Sequence, residues 1–283
     1  MTCAMAFKFL KKAEYIFLST MPFFFIVFYS HAQTQDEVNF KVGNGTSTKD
    51  VNIHDSLFFS LEEAVKYPLR VSELSLEGKG LKHFPNAILK FKNLRVLNIS
   101  NNRIDSLPFS LFNQCRKLSV LQYAGDELNA IPQVLFQGSL KVLDLSENNL
   151  TAIPDDIGAC RQLEELDLHA NRLTTYPSSS VLLKSLKSLI LSGNPLTLLS
   201  AWVVNQPQLK ILFIDNTAIE NTYDLLCKAD ALRFLNMEEN NMKELPACFC
   251  ELKGLKVILV SGNSLPGEKW EELHRCLPDL QIR

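Results

Sequence analysis

From Val71 to the C-terminus, apolar residues fall in a frame that returns about every 23 residues. One copy reads Leu163, Leu166, Leu168, Asn171, Leu173, Tyr176 and Pro177. The frame recurs as Leu140, Leu143, Leu145, Asn148, Leu150, Ile153 and Pro154, and again as Leu232, Leu235, Met237, Asn240, Met242, Leu245 and Pro246. Nine copies phase together, starting at Val71, Leu94, Leu118, Leu140, Leu163, Leu186, Leu209, Leu232 and Leu255. Within a copy the x-L-x-L alternation has the period of a strand, so Leu143 and Leu145 point inward while Val142, Asp144 and Ser146 face out. Stacked copies predict a parallel sheet with one short strand per repeat. No repeat can bury its apolar side alone, so the core exists only between neighbours.

After each strand the chain must turn sharply, which leaves backbone polar groups inside at about 1–3 kcal/mol each if unpartnered. An asparagine side chain both donates and accepts, so a stacked column of asparagines can satisfy them. The column reads Asn102, Asn148, Asn171, Asn194, Asn240 and Asn263. Lys79, Asp126 and Thr217 interrupt it, and a looser turn or a bound water is expected there. The return path begins at Leu-Pro or a relative of it: Phe84-Pro85, Leu107-Pro108, Ile131-Pro132, Ile153-Pro154, Tyr176-Pro177 and Leu245-Pro246. Proline fixes φ, donates no hydrogen bond and bars another strand. Apolar residues three apart follow, as in Ile88/Phe91 and Ile157/Cys160, predicting one helical turn per repeat.

On these residues, positions 71–265 resemble the leucine-rich-repeat family, in particular its ~23-residue L-x-x-L-x-L-x-x-N-x-L-x-x-L-P subclass. The resemblance covers roughly seventy per cent of the chain. It implies an α/β fold, a curved solenoid with short parallel strands on the concave face and short helical turns on the convex face. It is specific for fold and not for function, because such solenoids bind many unrelated partners.

The ends are expected to differ from the repeats, which span 71–266. A solenoid needs polar caps. Residues 60–70 are read as an N-terminal helical cap, with Ser60 and Glu63 forming a capping box and Pro68 ending the helix. Residues 267–283 are read as the C-terminal cap: a short amphipathic helix over Glu268–Cys276 with Trp270, Leu273 and Leu277 on one side, then Pro278 and a last edge strand around Leu280 and Ile282. Both ends resemble the caps of bacterial leucine-rich-repeat proteins. Residues 1–32 read as a secretory signal peptide: Lys8, Lys11 and Lys12, an apolar run from Tyr15 to Tyr29, and small residues before Gln33. The run is about 15 residues, short of the ~20 that cross a bilayer. An exported protein with no membrane span in the mature chain is expected. Residues 33–59 are polar and read as a flexible leader, with a strand near Val38–Val42.

Charge and cysteines narrow the partners. Removing 1–32 takes three of the 29 basic and one of the 31 acidic residues, leaving a net charge of −4. Nothing in that balance suggests nucleic acid. Lys141, Lys187, Lys210, Arg233 and Lys256 recur one per repeat, interrupted by Glu164, and read as a solvated strand edge. Cys115 and Cys160 lie two repeats apart, too far to bridge, and are expected as buried thiols. Cys227 and Cys250 share one repeat position in adjacent repeats, which makes them the candidate disulfide. Cys248, Cys250, His274 and Cys276 match no usual zinc spacing; no metal or cofactor is expected.

No nucleophile–base set or phosphate loop is present. Asp144, Glu165 and Asp167 face out from adjacent strands beside His169, a grouping that could in principle do acid–base work. On an open, wet sheet, burial would tune such groups little, so the cluster is read as polar contact surface and the chain as no enzyme. The outward positions of the later strands differ from the earlier ones. Ser75, Asn98, Gln122, Asp144 and Asp167 are polar, whereas Ile190, Phe213, Asn236 and Leu259 occupy the same column, with Ser188, Ile211, Phe234 and Val257 two residues before it. This apolar patch predicts a binding site for a protein or peptide, anchored by Ile190, Ile211, Phe213, Phe234 and Leu259. Asp144, Asp167, His169, Asp215 and Glu238 would set orientation. The rival readings are an intracellular scaffold or adaptor and an enzyme regulator working through the acidic cluster.

Overall fold

A computed structural model describes residues 56–283, apart from Asn221 and the side chain of Trp270. The expected signal peptide, most of the leader and the strand near Val38–Val42 lie outside the described residues. Eleven strands form one open parallel sheet in chain order. They are β1 (Leu57–Phe58), β2 (Glu73–Ser75), β3 (Val96–Asn98), β4 (Val120–Gln122), β5 (Val142–Asp144), β6 (Glu165–Asp167), β7 (Ser188–Ile190), β8 (Ile211–Phe213), β9 (Phe234–Asn236), β10 (Val257–Leu259) and β11 (Gln281–Ile282). The register keeps the frame of the sequence: Leu74, Leu97, Leu121, Leu143, Leu166, Leu189, Leu212, Leu235 and Ile258 lie opposite one another. All nine are buried. With the leucines of the turns and returns they make a single core that runs the length of the solenoid.

The asparagine column closes each turn as its chemistry requires. Asn171 Nδ2 donates to Leu168 O of its own repeat (3.0 Å) and to Leu145 O of the one before (2.9 Å), while its Oδ1 accepts from Leu150 N (3.0 Å). Asn102, Asn148, Asn194, Asn240 and Asn263 likewise donate to a carbonyl three residues back. The expectation of loose turns at the interruptions does not hold. The Asp126 carboxylate accepts from Ile104 N (3.0 Å) and Asn102 N (3.4 Å). The Thr217 hydroxyl reaches Ile214 O (3.2 Å) and Asn240 Oδ1 (2.8 Å). At Lys79 the turn uses left-handed Gly78 and Gly80, and Asn102 Oδ1 accepts from Leu81 N. At Asp126 and Thr217 a side chain of similar reach takes over the asparagine's acceptor or donor half.

The returns are short helical turns, mostly 3-10. Asn86–Lys90, Gln133–Gln137, Asp155–Ala159 and Ala247–Glu251 each follow a proline. The proline carbonyl accepts the first turn bond, as from Ile88 N to Pro85 O and from Ile157 N to Pro154 O. Tyr223–Lys228 is also 3-10, whereas α2 (Leu111–Gln114) and α3 (Ala201–Val204) are single α turns. The return after Tyr176-Pro177 has no helical turn. The Ser178 and Ser180 hydroxyls there bond each other (3.1 Å), Ser178 N goes to Asp155 Oδ1 (2.7 Å), and Leu183 N is held by Gln206 Oε1 of the next repeat (2.8 Å).

The ends refine the sequence reading. Strand β1 pairs with β2, so Leu57 and Phe58, assigned to the leader, begin the sheet. In α1 (Leu61–Ala64) Ser60 Oγ accepts from Glu63 N (3.4 Å), the first half of the box, and donates its hydroxyl to Glu62 Oε2 (2.7 Å). The helix stops at Ala64, before Pro68. Helix α4 (Gly267–Cys276) buries Leu273, and Leu277 and Leu280 beyond it are buried too. Strand β11 pairs with β10.

The disulfide pairing differs from expectation. Cys227 bonds Cys248, and Cys250 bonds Cys276, with Cα separations of 5.8 and 5.4 Å. Equal repeat position was the wrong criterion: the 3-10 return after Pro246 brings Cys248 to Cys227 and leaves Cys250 facing the cap helix. Cys115 and Cys160 are buried free thiols.

Candidate partner-binding face

Because β-strand side chains alternate, the first and third residues of every strand and the residue two further on make three columns on the concave side. In the later repeats Ile190 and Phe213 are Cα partners, and so are Ile211 and Phe234. The Phe213 and Phe234 rings meet with centroids 5.0 Å apart at 33°, a tilted aromatic pair. Phe213, Phe234, Ile190 and Leu259 are all half-buried, so each keeps a solvent-facing part. Ile211 is buried, at 7% exposure. It supports the patch and is not itself offered to a partner. Asn236 separates Phe213 from Leu259 in the second column and accepts from Glu238 N (3.1 Å).

The acidic part lies in the preceding strands, where Gln122, Asp144, Asp167 and Ile190 are successive Cα partners. Asp144 accepts from Ser146 twice, from the amide (3.0 Å) and the hydroxyl (2.6 Å). Asp167 makes the same loop with His169, accepting from the amide and meeting Nδ1, both at 2.9 Å. His169 Nε2 lies 3.6 Å from Glu147 Oε1.

The expectation of an open, wet cluster is corrected here. Asp144 is 1% exposed and Asp167 8%. Burial, with the Asp167 charge beside it, pushes the Asp144 carboxyl up, against the pull of the Ser146 bonds. Burial and the neighbouring Glu164 and Asp167 raise Glu165 to about 7. Burial disfavours the His169 imidazolium, yet the hydrogen bond and charge of Asp167, with Asp144 and Glu147, outweigh it and lift the ring to about 9. His169 is therefore a cation at neutral pH. Asp215 is raised by burial while the Ser192 hydroxyl donates to it, and Glu238 is raised by burial and by Asp215 and Glu239.

The predicted site residues thus divide into two adjoining groups on one face. Phe213, Phe234, Ile190 and Leu259 form the apolar part, with Asp215 and Glu238 at its margin. Asp167 and His169 are bonded to each other, and Asp144 to Ser146, in the two repeats that precede Ile190. The sequence reading missed Ser146, Ser192 and Glu147 as members; the first two occupy the third column of the face, so the repeat frame held that signal. The lysine row is not a uniformly solvated edge. Glu164 lies between Lys141 (3.5 Å) and Lys187 (2.5 Å) and pairs both.

Models of the leucine rich repeat match residues 93–115, 116–173 and 138–196. These residues are leucine-rich repeats, and the fold is that of a leucine-rich-repeat solenoid; proteins of that family serve in general as non-enzymatic protein-interaction scaffolds. It is similar to a solved leucine-rich-repeat protein of Leptospira interrogans, with a TM-score of 0.72 and 27% identity over 81% of this chain and 58% of that one. An internalin of Listeria monocytogenes shares the fold, with a TM-score of 0.59 and 15% identity over 79% of this chain and 70% of that one. The leucine-rich repeat and calponin homology domain-containing protein 1 of Mus musculus is 33% identical over 90 residues, 32% of this chain. The match spans about an eighth of that relative's length, 13%.

Proposed function

We propose that the chain is an exported, non-catalytic module that binds a protein or peptide on the concave face of its later repeats. The observation that carries the reading is the Phe213–Phe234 pair, half-exposed and flanked by Ile190 and Leu259. Contiguous apolar surface on a folded domain marks an interaction site or a liability, and aromatic anchors dominate binding energy at such sites. Most outward positions of a strand face tolerate polar residues, as the first five repeats illustrate. Phenylalanine in two adjacent strands therefore answers to something other than folding.

Export is supported by the N-terminal sequence and by the cysteines. Four of them are paired in two disulfides at the C-terminal end, and such bonds persist in oxidising compartments. Among the described residues no helix is long and apolar enough to cross a membrane.

A pull-down from host extract tests the reading. The full chain serves as one bait and a Phe213→Glu/Phe234→Glu double variant, checked for folding by circular dichroism, as the other. A partner retained by the first bait alone supports the concave apolar site. Equal capture by both rejects it and turns attention to the acidic network.

A further inference from the structure

The apolar pair is set in an acidic surrounding that restricts what can cover it. The outward positions of β5–β10 hold Asp144, Glu165, Asp167, Asp215 and Glu238 and no lysine or arginine. A basic residue stands one position ahead of five of these six strands, at Lys141, Lys187, Lys210, Arg233 and Lys256, and Glu164 holds that place before β6. Asp215 follows Phe213 by two residues on the same face, and Glu238 stands beside it in the next strand. Two residues of extended chain span about 6.6 Å, so each carboxylate lies within a side chain's reach of the ring pair. Burial already disfavours their charge.

Three kinds of occupant can be compared. A wholly apolar partner would desolvate Asp215 and Glu238 further without replacing their water contacts. An acidic partner would add like charge to a face whose one cation in these columns, His169, is held by Asp167. A partner that brings both an apolar anchor and a cation satisfies the two halves together. An extended segment also presents alternate side chains on one side with the same 6.6 Å step, which matches the offset from Phe213 to Asp215.

Resting on the binding reading above, we propose that the partner presents an extended cationic segment in which a lysine or arginine stands two residues from an aromatic or large aliphatic side chain. The apolar side chain packs on Phe213, Phe234 and Leu259, and the cation lies on Asp215 and Glu238.

Panning a displayed random dodecapeptide library on the immobilised full chain tests the proposal. The selected pool is expected to be rich in Lys or Arg two residues from Phe, Tyr, Trp, Leu or Ile. Its commonest peptide, made synthetically, should bind about tenfold more weakly to Asp215→Asn/Glu238→Gln, which removes charge at nearly constant shape. It should lose detectable binding to Phe213→Glu. An acidic pool, a pool without charge preference, no enrichment, or indifference to Asp215→Asn/Glu238→Gln overturns the partner class. Binding that Phe213→Glu leaves unchanged, in a variant whose circular dichroism is native, overturns instead the site on which it rests. The carboxamide variant keeps the proposal decidable if Phe213→Glu fails to fold.

Discussion

Asp126→Asn should stabilise the protein, and only above acidic pH. Asp126 occupies an asparagine position of the column and is 4% exposed. Burial raises its carboxyl from 3.8 to about 6, against the two backbone N–H bonds it accepts. At about 1.36 kcal/mol per pH unit, the ionised carboxylate weakens the folded state by about 3 kcal/mol once the pH is well above 6. The sign follows from proton binding. Between 3.8 and about 6 the folded chain holds a proton that the unfolded chain has released, so stability falls as pH rises through that window. Below it there is no penalty. An asparagine's single Oδ1 keeps Ile104 N and can share Asn102 N, as Asn148 Oδ1 accepts from both Asp126 N and Leu128 N, and its Nδ2 gains donors aimed at Tyr123 O, three residues back, as Asn171 does for Leu168 O. For a domain of this size 1 kcal/mol moves Tm by roughly 2–4 °C. The variant should therefore melt about 6–12 °C above the parent at pH 8 and within about 2 °C of it at pH 3.5. Paired thermal melts at the two pH values decide. An equal shift at both, or a lower Tm for the variant at pH 8, would refute the reasoning.

Three further outcomes follow from the same geometry. Asn171→Ala leaves Leu150 N without its partner, whereas Leu145 O and Leu168 O keep Asn148 and Asn194 as donors. A loss of about 3 kcal/mol in urea unfolding is expected, one buried orphan plus the net worth of the lost bonds; a loss below about 1 kcal/mol would contradict the ladder. His169, titrated by NMR, should have a pKa near 9 and fall toward 6.5 in Asp167→Asn. The stability it contributes is full below 6.5 and is lost as pH rises through about 9, so a parent pKa near 6.5 would contradict the network. Cys250→Ser frees the cap helix from the last return. It should expose α4 and β11 to faster amide exchange, with a stability loss of about 2–4 kcal/mol, while β3–β6 exchange as before. Uniform loosening along the solenoid would contradict a local clamp.

What was legible in the sequence and what was not divide along physical lines. Period and alternation report burial, so the strand frame and the leucine column read directly from spacing. The asparagine column read equally well, because its chemistry is set by one turn repeated. Its interruptions did not. Whether Asp126 or Thr217 can stand in depends on distances of 3.0–3.4 Å and 2.8–3.2 Å that no spacing reveals. The cysteine pairing was missed because a 3-10 turn rotates Cys248 and Cys250 to different sides. On the candidate face, the residue types gave the two halves, apolar and acidic. Exposure separated Phe213 from Ile211, and it corrected the view of Asp144 as a solvated carboxylate. That correction needed three dimensions, since burial of a polar residue depends on its neighbours in adjacent strands.

On the binding reading proposed above, the concave face of the later repeats holds a protein partner. Site-specific photo-crosslinking addresses it most directly, with a benzophenone side chain at position 213 in one chain and at position 109 in another. Phe109 is 68% exposed in a return segment away from the strand face, so it reports contact elsewhere. A discrete crosslinked protein is expected from position 213 and none of that mass from position 109. The same adduct from position 109, with position 213 silent, would contradict the reading.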